Sequence, residues 1–461
     1  MGIVTRIFSY VRRYWLLELL ILICMGSVVI LNLAIPMLVR MTIDRVLVQM
    51  DYKLLLIISL SIVGITALRG TLAYAQRYTM EYVAQRVVYD IRNHIYNALE
   101  RQSFAFYDRI QTGQLMSRVT SDVDLIRGFL AWSLPTFIST MVTFAGILII
   151  TLSMSWKLTL FSLVTAPIVF LVAYRFSRSV RPIYYEAQQR LGTINSVLQE
   201  NLTGVRVVRA FAKEELEEEK FRIKNKSYFD CNITATRLRA KYIPFMDLIT
   251  GIGMVIILLY GGLQVVSGEI TIGTLVAFNS YLTLLIMPMR FLGFITSFME
   301  RALAGGKRIF EILDAVPEVK DKPDAIEMPP INGYVRFDNV SFSYGQSPAI
   351  LKNVIFEAKP GETIALLGTT GSGKSSIINL IARFYDVTDG RVTIDGYDVR
   401  DVKINSLRKQ IGIVPQETFL FSTTIRENIA YGKPSASMDD IVNAAKVAEA
   451  HDFIVSFPQG Y

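Results

Sequence analysis

A glycine-rich segment that ends in lysine and serine carries the clearest chemistry in this chain. From Gly368 to Ser375 it reads GTTGSGKS and matches the pattern G-x-x-x-x-G-K-[ST]. The apolar stretch 363–367 before it predicts a strand, and 376–384 after it predicts a helix. Such a loop turns backbone N–H groups towards one point, and the helix start adds partial positive charge there. The segment therefore predicts a site for the phosphates of a nucleotide.

We expect this loop to bind ATP together with Mg²⁺. Lys374 would bridge the β and γ phosphates, and the Ser375 hydroxyl would be a ligand of the metal. The residues of the loop and of the first helical turn predicted to bind the nucleotide are Gly368, Thr369, Thr370, Gly371, Ser372, Gly373, Lys374, Ser375 and Ser376.

Two residues outside the loop are also candidates. Tyr344, at the end of the predicted strand 335–344, could stack its ring on adenine, although a lone aromatic residue is more often part of a core. Gln416 follows the apolar stretch 411–414, which predicts another strand. Its amide oxygen could bind Mg²⁺ and register the γ-phosphate, and an ordinary loop residue is the alternative.

The composition of the rest of the chain predicts a membrane protein. Of the 461 residues, 52% are hydrophobic and 19% charged, and the mean hydropathy is +0.38. Two cysteines exclude a disulfide framework, and two histidines argue against a structural zinc site. A helix needs roughly 20 apolar residues to cross a bilayer. Runs of that length lie near 15–39, 54–76, 134–153, 157–176, 244–266 and 274–298.

The connections between these spans predict their orientation. Segments 77–133 and 177–243 are long and rich in Lys and Arg, whereas the other connections are short and carry little charge. Because positive loops stay in the cytoplasm, both termini are predicted to be cytoplasmic. Apolar residues recur every four positions in 80–101, so the long segments should extend the spans as helices. Glycines allow turns, and short contact helices are expected near 113–125 and 203–213; plain loops are the alternative.

A change of composition after residue 314 marks the predicted domain boundary. Residues 1–314 form the predicted transmembrane domain. The stretch 315–333 combines prolines with charges and is typical of a linker. Residues 334–461 predict an α/β domain that contains the glycine-rich loop. The expected fold is therefore a six-helix transmembrane domain with long cytoplasmic extensions, followed by a partial α/β P-loop domain.

Taken in order, these features resemble a half-transporter of the ATP-binding cassette exporter family, of the multidrug or lipid exporter type. The resemblance also covers 390–396, 407–408, 411–416 and 421–429. It implies that Tyr344 stacks on adenine, that Gln416 is the Q-loop glutamine, and that 113–125 and 203–213 are coupling helices. It further implies an ATP-hydrolysing translocase that works as a dimer with a second half-transporter, identical or related, in a bacterial plasma membrane.

One part of the family pattern is missing from residues 334–461. The signature motif, the Walker B aspartate with its catalytic glutamate, and the switch histidine are expected beyond Tyr461. We therefore expect the chain to be truncated within its nucleotide domain and to be inactive in hydrolysis by itself. The catalytic residues stay unknown.

The spans themselves suggest the class of cargo. Ionisable residues such as Glu18, Arg69 and Arg290 are predicted near span ends rather than at mid-depth, which disfavours ion coupling. The predicted function is ATP-driven export of hydrophobic or amphipathic compounds. The alternatives are a lipid flippase and a nucleotide-gated channel or regulator that does not pump, and no nucleic acid partner is expected. Possible cavity residues, with helix packing as the commoner role, are Asn32, Asn279, Tyr281, Met287, Phe291, Phe294 and Phe298.

Overall fold

The computed structural model describes residues 2–345, 347–416 and 418–461, without the side chains of Leu163, Ala166, 285–294 and Ser297. The chain divides into two compact units. The helical unit comprises Met1–Asn97 and Leu115–Asp314, and the mixed unit comprises Ala98–Gln114 and Ala315–Tyr461. The possible cavity residues Met287, Phe291 and Phe294 have side chains outside the described part, as does Arg290.

Residues up to Asp314 are almost entirely helical. The α-helices of this region are α1 (Ile3–Val11), α2 (Trp15–Met41), α3 (Leu47–Gln49), α4 (Tyr52–Glu100), α5 (Phe104–Arg109), α6 (Thr112–Ser117), α7 (Val123–Gly128), α8 (Leu134–Met154), α9 (Trp156–Leu163), α10 (Thr165–Thr203), α11 (Val205–Ala210), α12 (Glu214–Val266) and α13 (Ile272–Leu313). Short π-helical turns at Thr42–Val46, Arg118–Asp122 and Phe129–Ser133 join neighbouring helices.

Five helical runs among the described residues are long and apolar enough to cross a membrane. They are Ile3–Gln49, Tyr52–Glu100, Thr112–Met154, Trp156–Thr203 and Glu214–Val266. The sixth predicted span falls in α13, of which the apolar part Ile272–Leu284 is described with its side chains. The helices run well beyond the predicted spans, as the periodicity indicated. Val83, Val87, Ile91 and Ile95 form a buried stripe on the extension of α4.

Polar side chains join the helices of this unit. Gly273 donates its backbone N–H to Asp44 at 2.8 Å, and Thr271 donates its hydroxyl to the same carboxylate, so Asp44 holds the start of α13. Tyr281 is fully buried and donates to the carbonyl of Leu33 at 2.7 Å. That hydrogen bond gives Tyr281 the packing role that was the alternative to a cavity role.

The polar group predicted at mid-depth in the first span has a charged partner. Arg69 donates to the Asn32 side-chain oxygen at 2.9 Å. The two residues therefore lie at one level, although the sequence placed Arg69 near the inner interface and Asn32 at mid-depth. Asn32 lies 18 residues and Arg69 19 residues from the turn at Met50, which has a left-handed φ of 54°. Helical structure leads up to this turn from both sides, so the separation is about 27 Å. That distance agrees with the prediction of Arg69 near the inner end of its span, and the mid-depth prediction for Asn32 is the one that does not fit.

The mixed unit combines short strands and helices. They are β1 (Val335–Phe342), β2 (Leu351–Ala358), α14 (Lys374–Ile381), β3 (Asp389–Ile394), β4 (Tyr397–Asp398), α15 (Ile404–Arg408), α16 (Ile425–Ile429), α17 (Met438–Val447) and α18 (His451–Val455). The strands form a four-stranded antiparallel sheet with the order β2-β1-β3-β4. The core of the unit includes the fully buried side chains of Phe337, Val340 and Val392, which lie against Leu380 and Leu407.

Two predicted strands of this unit are not strands in the structure. Stretches 363–367 and 411–414 have no regular structure, and Leu367 and Val414 are 93% and 95% exposed. A strand is defined by a ladder of hydrogen bonds, and no described strand pairs with either stretch. Both stretches are apolar as described, but the strand predictions were wrong. A strand needs neighbouring strands for its hydrogen bonds, and the local sequence pattern does not show whether those neighbours exist.

The stretch predicted as a linker lies along the mixed unit. Met328 donates its N–H to the Ser406 hydroxyl at 2.8 Å, and Ile326 forms a bridge with Val402. Asp395 accepts the N–H groups of Asn332, Gly333 and Tyr334. Burial by itself would raise the pKa of Asp395, but these backbone donors outweigh it and lower that pKa. Residues 326–334 are therefore an ordered strap on the sheet.

Candidate nucleotide site

The glycine-rich loop leads directly into a helix start. Helix α14 begins at Lys374 with Gly373 as its N-cap, and no side chain caps it. The first N–H groups of a helix lack intrahelical acceptors, so they are available to an anion. Gly371 and Gly373 have φ values of 85° and 92°, in the left-handed region that favours glycine. A Cβ on Gly373 would also lie 2.7 Å from the Leu351 side chain.

The lysine of this loop is directed back over the loop itself. Lys374 Nζ donates to the carbonyl oxygens of Gly368 and Thr369, at 2.8 Å each, and lies 3.4 Å from the Ser372 hydroxyl. Its ammonium group is therefore held close to the loop that would bind the phosphates. A phosphate that reached it would replace carbonyl acceptors with charged ones, which form stronger hydrogen bonds. The residues present fit a polyphosphate.

The ring of Tyr344 is fixed next to the phosphate loop. Its hydroxyl lies 3.1 Å from the hydroxyl of Ser376, a buried residue in the first turn of α14. Its ring meets those of Phe342 and Tyr385 edge to face, with centroids 4.7 and 5.0 Å apart. Tyr344 is thus partly buried among aromatic rings and is also joined to the loop. The structure brings together two of the predicted site residues, Tyr344 and Ser376.

The other two candidates lie in open positions. Ser375 is exposed at the start of α14, and Gln416 is exposed as well. Neither side chain makes a hydrogen bond to any described residue of the loop. The hydroxyl of Ser375 and the amide oxygen of Gln416 are both ligands that Mg²⁺ accepts. The structure therefore leaves both oxygens accessible, but it does not bring Gln416 into contact with the loop.

An aromatic cluster that the sequence analysis missed joins this site to helix α5. Tyr385 donates its hydroxyl to Asp108 at 2.6 Å. Burial, and then this hydrogen bond, raise the pKa of Tyr385. Phe104 packs against Phe384 with centroids 4.4 Å apart. The Phe384–Tyr385 pair directly behind α14 was the available signal, but nothing in the sequence indicated its partner.

Helix α5 is held to the mixed unit at both of its ends. Gln102 donates to the carbonyl of Ala315 at 2.8 Å, and Arg109 pairs with Glu318 at 2.7 Å. The sequence placed the first contact helix near 113–125, but the structure puts α5, further towards the N-terminus, on this unit. Residues Leu115–Asp314 belong to the helical unit. Helix α11, in the helical unit, occupies 205–210 of the predicted segment 203–213.

Comparison with known proteins decides the family. The model of the ABC transporter transmembrane region matches residues 19–289, and the ABC transporter model matches residues 351–459. An ATP-dependent lipid A-core flippase of Syntrophus aciditrophicus is 36% identical over 440 residues, which are 95% of this chain and 73% of that protein. The chain belongs to the ABC transporter family.

Two relatives from Bacillus subtilis are similar to the same extent. An uncharacterized ABC transporter ATP-binding protein is 36% identical, with 98% of this chain and 77% of that protein covered. A protein provisionally named a multidrug export ATP-binding/permease protein is also 36% identical, with 100% and 81% covered. The predicted family and fold class are confirmed: this is an ABC exporter, a multi-pass membrane protein with a transmembrane region followed by an ATP-binding domain.

Proposed function

We propose that this transporter exports hydrophobic or amphipathic compounds from the cytoplasm, driven by ATP with Mg²⁺. It would act as a dimer of two half-transporters, identical or related, in a cell membrane with both termini in the cytoplasm. Closure of the two nucleotide domains on ATP would switch the membrane cavity from inward to outward facing. The observation that carries the proposal is the uncapped start of α14 with Lys374 folded over its glycine-rich loop.

The roles of the site residues follow from their positions. Residues 368–376 would bind the phosphates, mainly through backbone N–H groups and through the ammonium group of Lys374. Tyr344 would hold adenine against its ring. The hydroxyl of Ser375 would bind Mg²⁺, and Gln416 would join it once the metal is bound. Mg²⁺ would supply charge neutralisation of the phosphates.

Hydrolysis needs a carboxylate that polarises water, and we assign that role to no residue. Among the described residues, no carboxylate makes a hydrogen bond or ion pair with the loop 368–376; Lys374 contacts only Gly368, Thr369 and Ser372. We propose that residues 1–461 alone retain ATP without hydrolysing it. A single-turnover assay with radiolabelled ATP tests this: we expect nucleotide to be retained intact, and release of labelled phosphate would contradict it.

The class of cargo is supported by the relatives and by the membrane helices. One relative is named for flipping a lipid and another for multidrug export, which are both amphipathic or apolar cargoes. A lipid flippase is therefore the alternative cargo assignment. A nucleotide-gated channel or regulator is the alternative mechanism, and it would be lined by rings of charge. By contrast with such a ring, Arg69 is a single charged side chain, and its hydrogen bond to Asn32 joins two membrane helices.

Transport in sealed inside-out vesicles tests the proposal. Accumulation of a hydrophobic fluorescent dye is followed with ATP and Mg²⁺, for the full transporter and for its Lys374→Ala variant. The Lys359→Ala variant, with its charge removed from an exposed turn of the same unit, is the matched control. We expect the dye to accumulate against its concentration gradient. This accumulation should be abolished in the Lys374→Ala variant and retained in the Lys359→Ala variant. Movement that only dissipates a gradient would show a channel instead, and accumulation of labelled lipid but not dye would favour the flippase.

A further inference from the structure

A groove between two helices of the helical unit combines positive charge with apolar walls. It lies between α10 and α12 and has a volume of about 840 Å³. Arg175, Arg178 and Lys241 contribute the positive charge of the groove. Leu171, Tyr242 and Phe245 contribute apolar surface to its walls. Volumes of roughly 300–1,000 Å³ are typical of sites for small organic ligands. The groove is therefore large enough for the headgroup of a lipid and the start of its chains.

The three cations of the groove have no anionic partner among the described residues. None of them forms a hydrogen bond or ion pair there, and all three are exposed. Arg181, three residues beyond Arg178 on the same helix, does pair with Glu300. Three positive charges directed at one groove without a counter-charge repel one another. An anion in the groove would relieve that repulsion, so the charge pattern is complementary to a phosphate group.

The position of the groove along the helices matches the headgroup level of a membrane. Leu171 lies within the apolar run 157–176, and Arg175 and Arg178 lie at and just beyond its end. Lys241 lies just before the run 244–266 on the facing helix. Tyrosines are enriched at this level of membrane proteins, and Tyr242 here packs on Phe176 with centroids 5.5 Å apart. Basic pockets between helices at this level suit anionic headgroups.

Both helices carry a proline close to the groove. Pro182 lies within α10 and Pro244 within α12. A proline inside a helix removes one backbone hydrogen bond and bends the helix. Pro182 lies four residues from Arg178, and Pro244 lies three residues from Lys241, so both positions without a backbone donor are beside the charged part of the groove.

We infer that this groove binds an anionic phospholipid. Its phosphate would lie between Arg175, Arg178 and Lys241, and its acyl chains would start along Leu171 and Phe245. The assignment of the groove to the cytoplasmic leaflet rests on the orientation in the proposed function. Lipid binding itself does not depend on that orientation.

The test is a titration of the purified chain in detergent with fluorescent phosphatidylglycerol and, separately, with fluorescent phosphatidylcholine. The test variant carries Gln in place of Arg175, Arg178 and Lys241. We expect the intact chain to prefer phosphatidylglycerol, and the variant to bind it roughly a hundred-fold more weakly, since each of the three cations near the surface contributes about a factor of five and the factors multiply. Phosphatidylcholine binding should change little. The single variant Arg178→Gln, with an expected loss of about five-fold, serves if the triple variant does not fold.

The matched control removes three charges elsewhere in the same unit. Arg206→Gln, Lys224→Gln and Lys226→Gln are combined; Lys224 lies 17 residues, or about 25 Å of helix, from Lys241. Equal losses of phosphatidylglycerol affinity in the control and test variants would overturn the inference, because the preference for this lipid would then reflect the overall charge of the unit. Displacement of the lipid by excess glycerol phosphate would overturn a lipid as the occupant. ATP retention is measured on the same samples. Failure of the chain to retain ATP would contradict the proposed function. Absence of the lipid preference in a chain that retains ATP would contradict the assignment of the groove alone.

Discussion

The sharpest prediction concerns the ammonium group of Lys374. In this structure Nζ donates to two carbonyl oxygens at 2.8 Å, so a bound nucleotide has to replace those acceptors with phosphate oxygens. A hydrogen bond between charged groups is about twice as strong as one to a neutral acceptor. With a net gain of about 0.7–1.5 kcal/mol for each of two exchanged bonds, the lysine contributes about 1.4–3 kcal/mol to ATP binding. That corresponds to about a 10- to 150-fold difference in Kd.

The perturbation is Lys374→Met, which keeps the apolar stem and removes the charge. Equilibrium binding of fluorescent ATP and AMP analogues is measured in the presence of Mg²⁺. We expect the affinity for ATP to fall by the factor given above. The affinity for AMP should change by less than about three-fold, because AMP lacks the β and γ phosphates that the lysine would reach. Lys359→Met is the control for a lost charge in the same unit.

Two results would refute this reasoning. If Lys374→Met bound ATP as tightly as the unaltered chain, the ammonium group would not contact the phosphates. If AMP binding fell as much as ATP binding, the substitution would have damaged the loop. Thermal unfolding of the variant, followed by circular dichroism, separates such damage from a lost contact.

Three further predictions concern the rest of the mixed unit. Tyr344→Ala should weaken ATP binding by about 5- to 150-fold, since base stacking contributes about 1–3 kcal/mol, whereas Tyr344→Phe should stay within about three-fold; equal losses would show that the hydroxyl, and not the ring, matters. Tyr385→Phe and Asp108→Ala should each speed proteolysis of segment 98–114, and the double variant should be no worse than either, because each substitution removes the same hydrogen bond; additive effects would contradict this. Asp395→Ala should lower the free energy of unfolding by about 2–3 kcal/mol at pH 7 through the loss of charge-assisted hydrogen bonds. Because the folded pKa of Asp395 is lowered, its stabilising effect is present above its unfolded pKa of about 3.9 and is lost as pH falls through the folded value, so urea unfolding should show the variant and the unaltered chain converging in acid.

The sequence predicted the features that depend on local pattern. The loop 368–375 and the long extension of α4 were found because a motif and a four-residue spacing are both visible along the chain. Features that depend on distant partners were missed. A glycine turn was expected before the contact helix near 113–125, yet Thr112 and Gly113 begin helix α6, and α5 is the helix that packs within the mixed unit.

The same distinction explains the remaining differences. Prolines and charges in 315–333 are typical of a linker, but the hydrogen bonds to Asp395 and Ser406 that order this segment come from residues more than 60 positions away. Stretches 363–367 and 411–414 have strand-like composition without strand partners among the described residues. Tyr344 was assigned to adenine from its place in the family pattern, and its contact with Tyr385 could not be read from spacing.

The engagement of the Tyr344 hydroxyl has a consequence for the choice of nucleobase. That hydroxyl is the only polar atom of the side chain, and at 3.1 Å from the Ser376 hydroxyl it is directed towards the first turn of α14. The residue can therefore offer a base its flat face but no hydrogen bond to the edge that distinguishes adenine from guanine. Stacking is tolerant because every base has such a face. Guanosine triphosphate should thus compete with adenosine triphosphate on nearly equal terms at Tyr344, and the relative concentrations of the two would decide which one occupies the transporter.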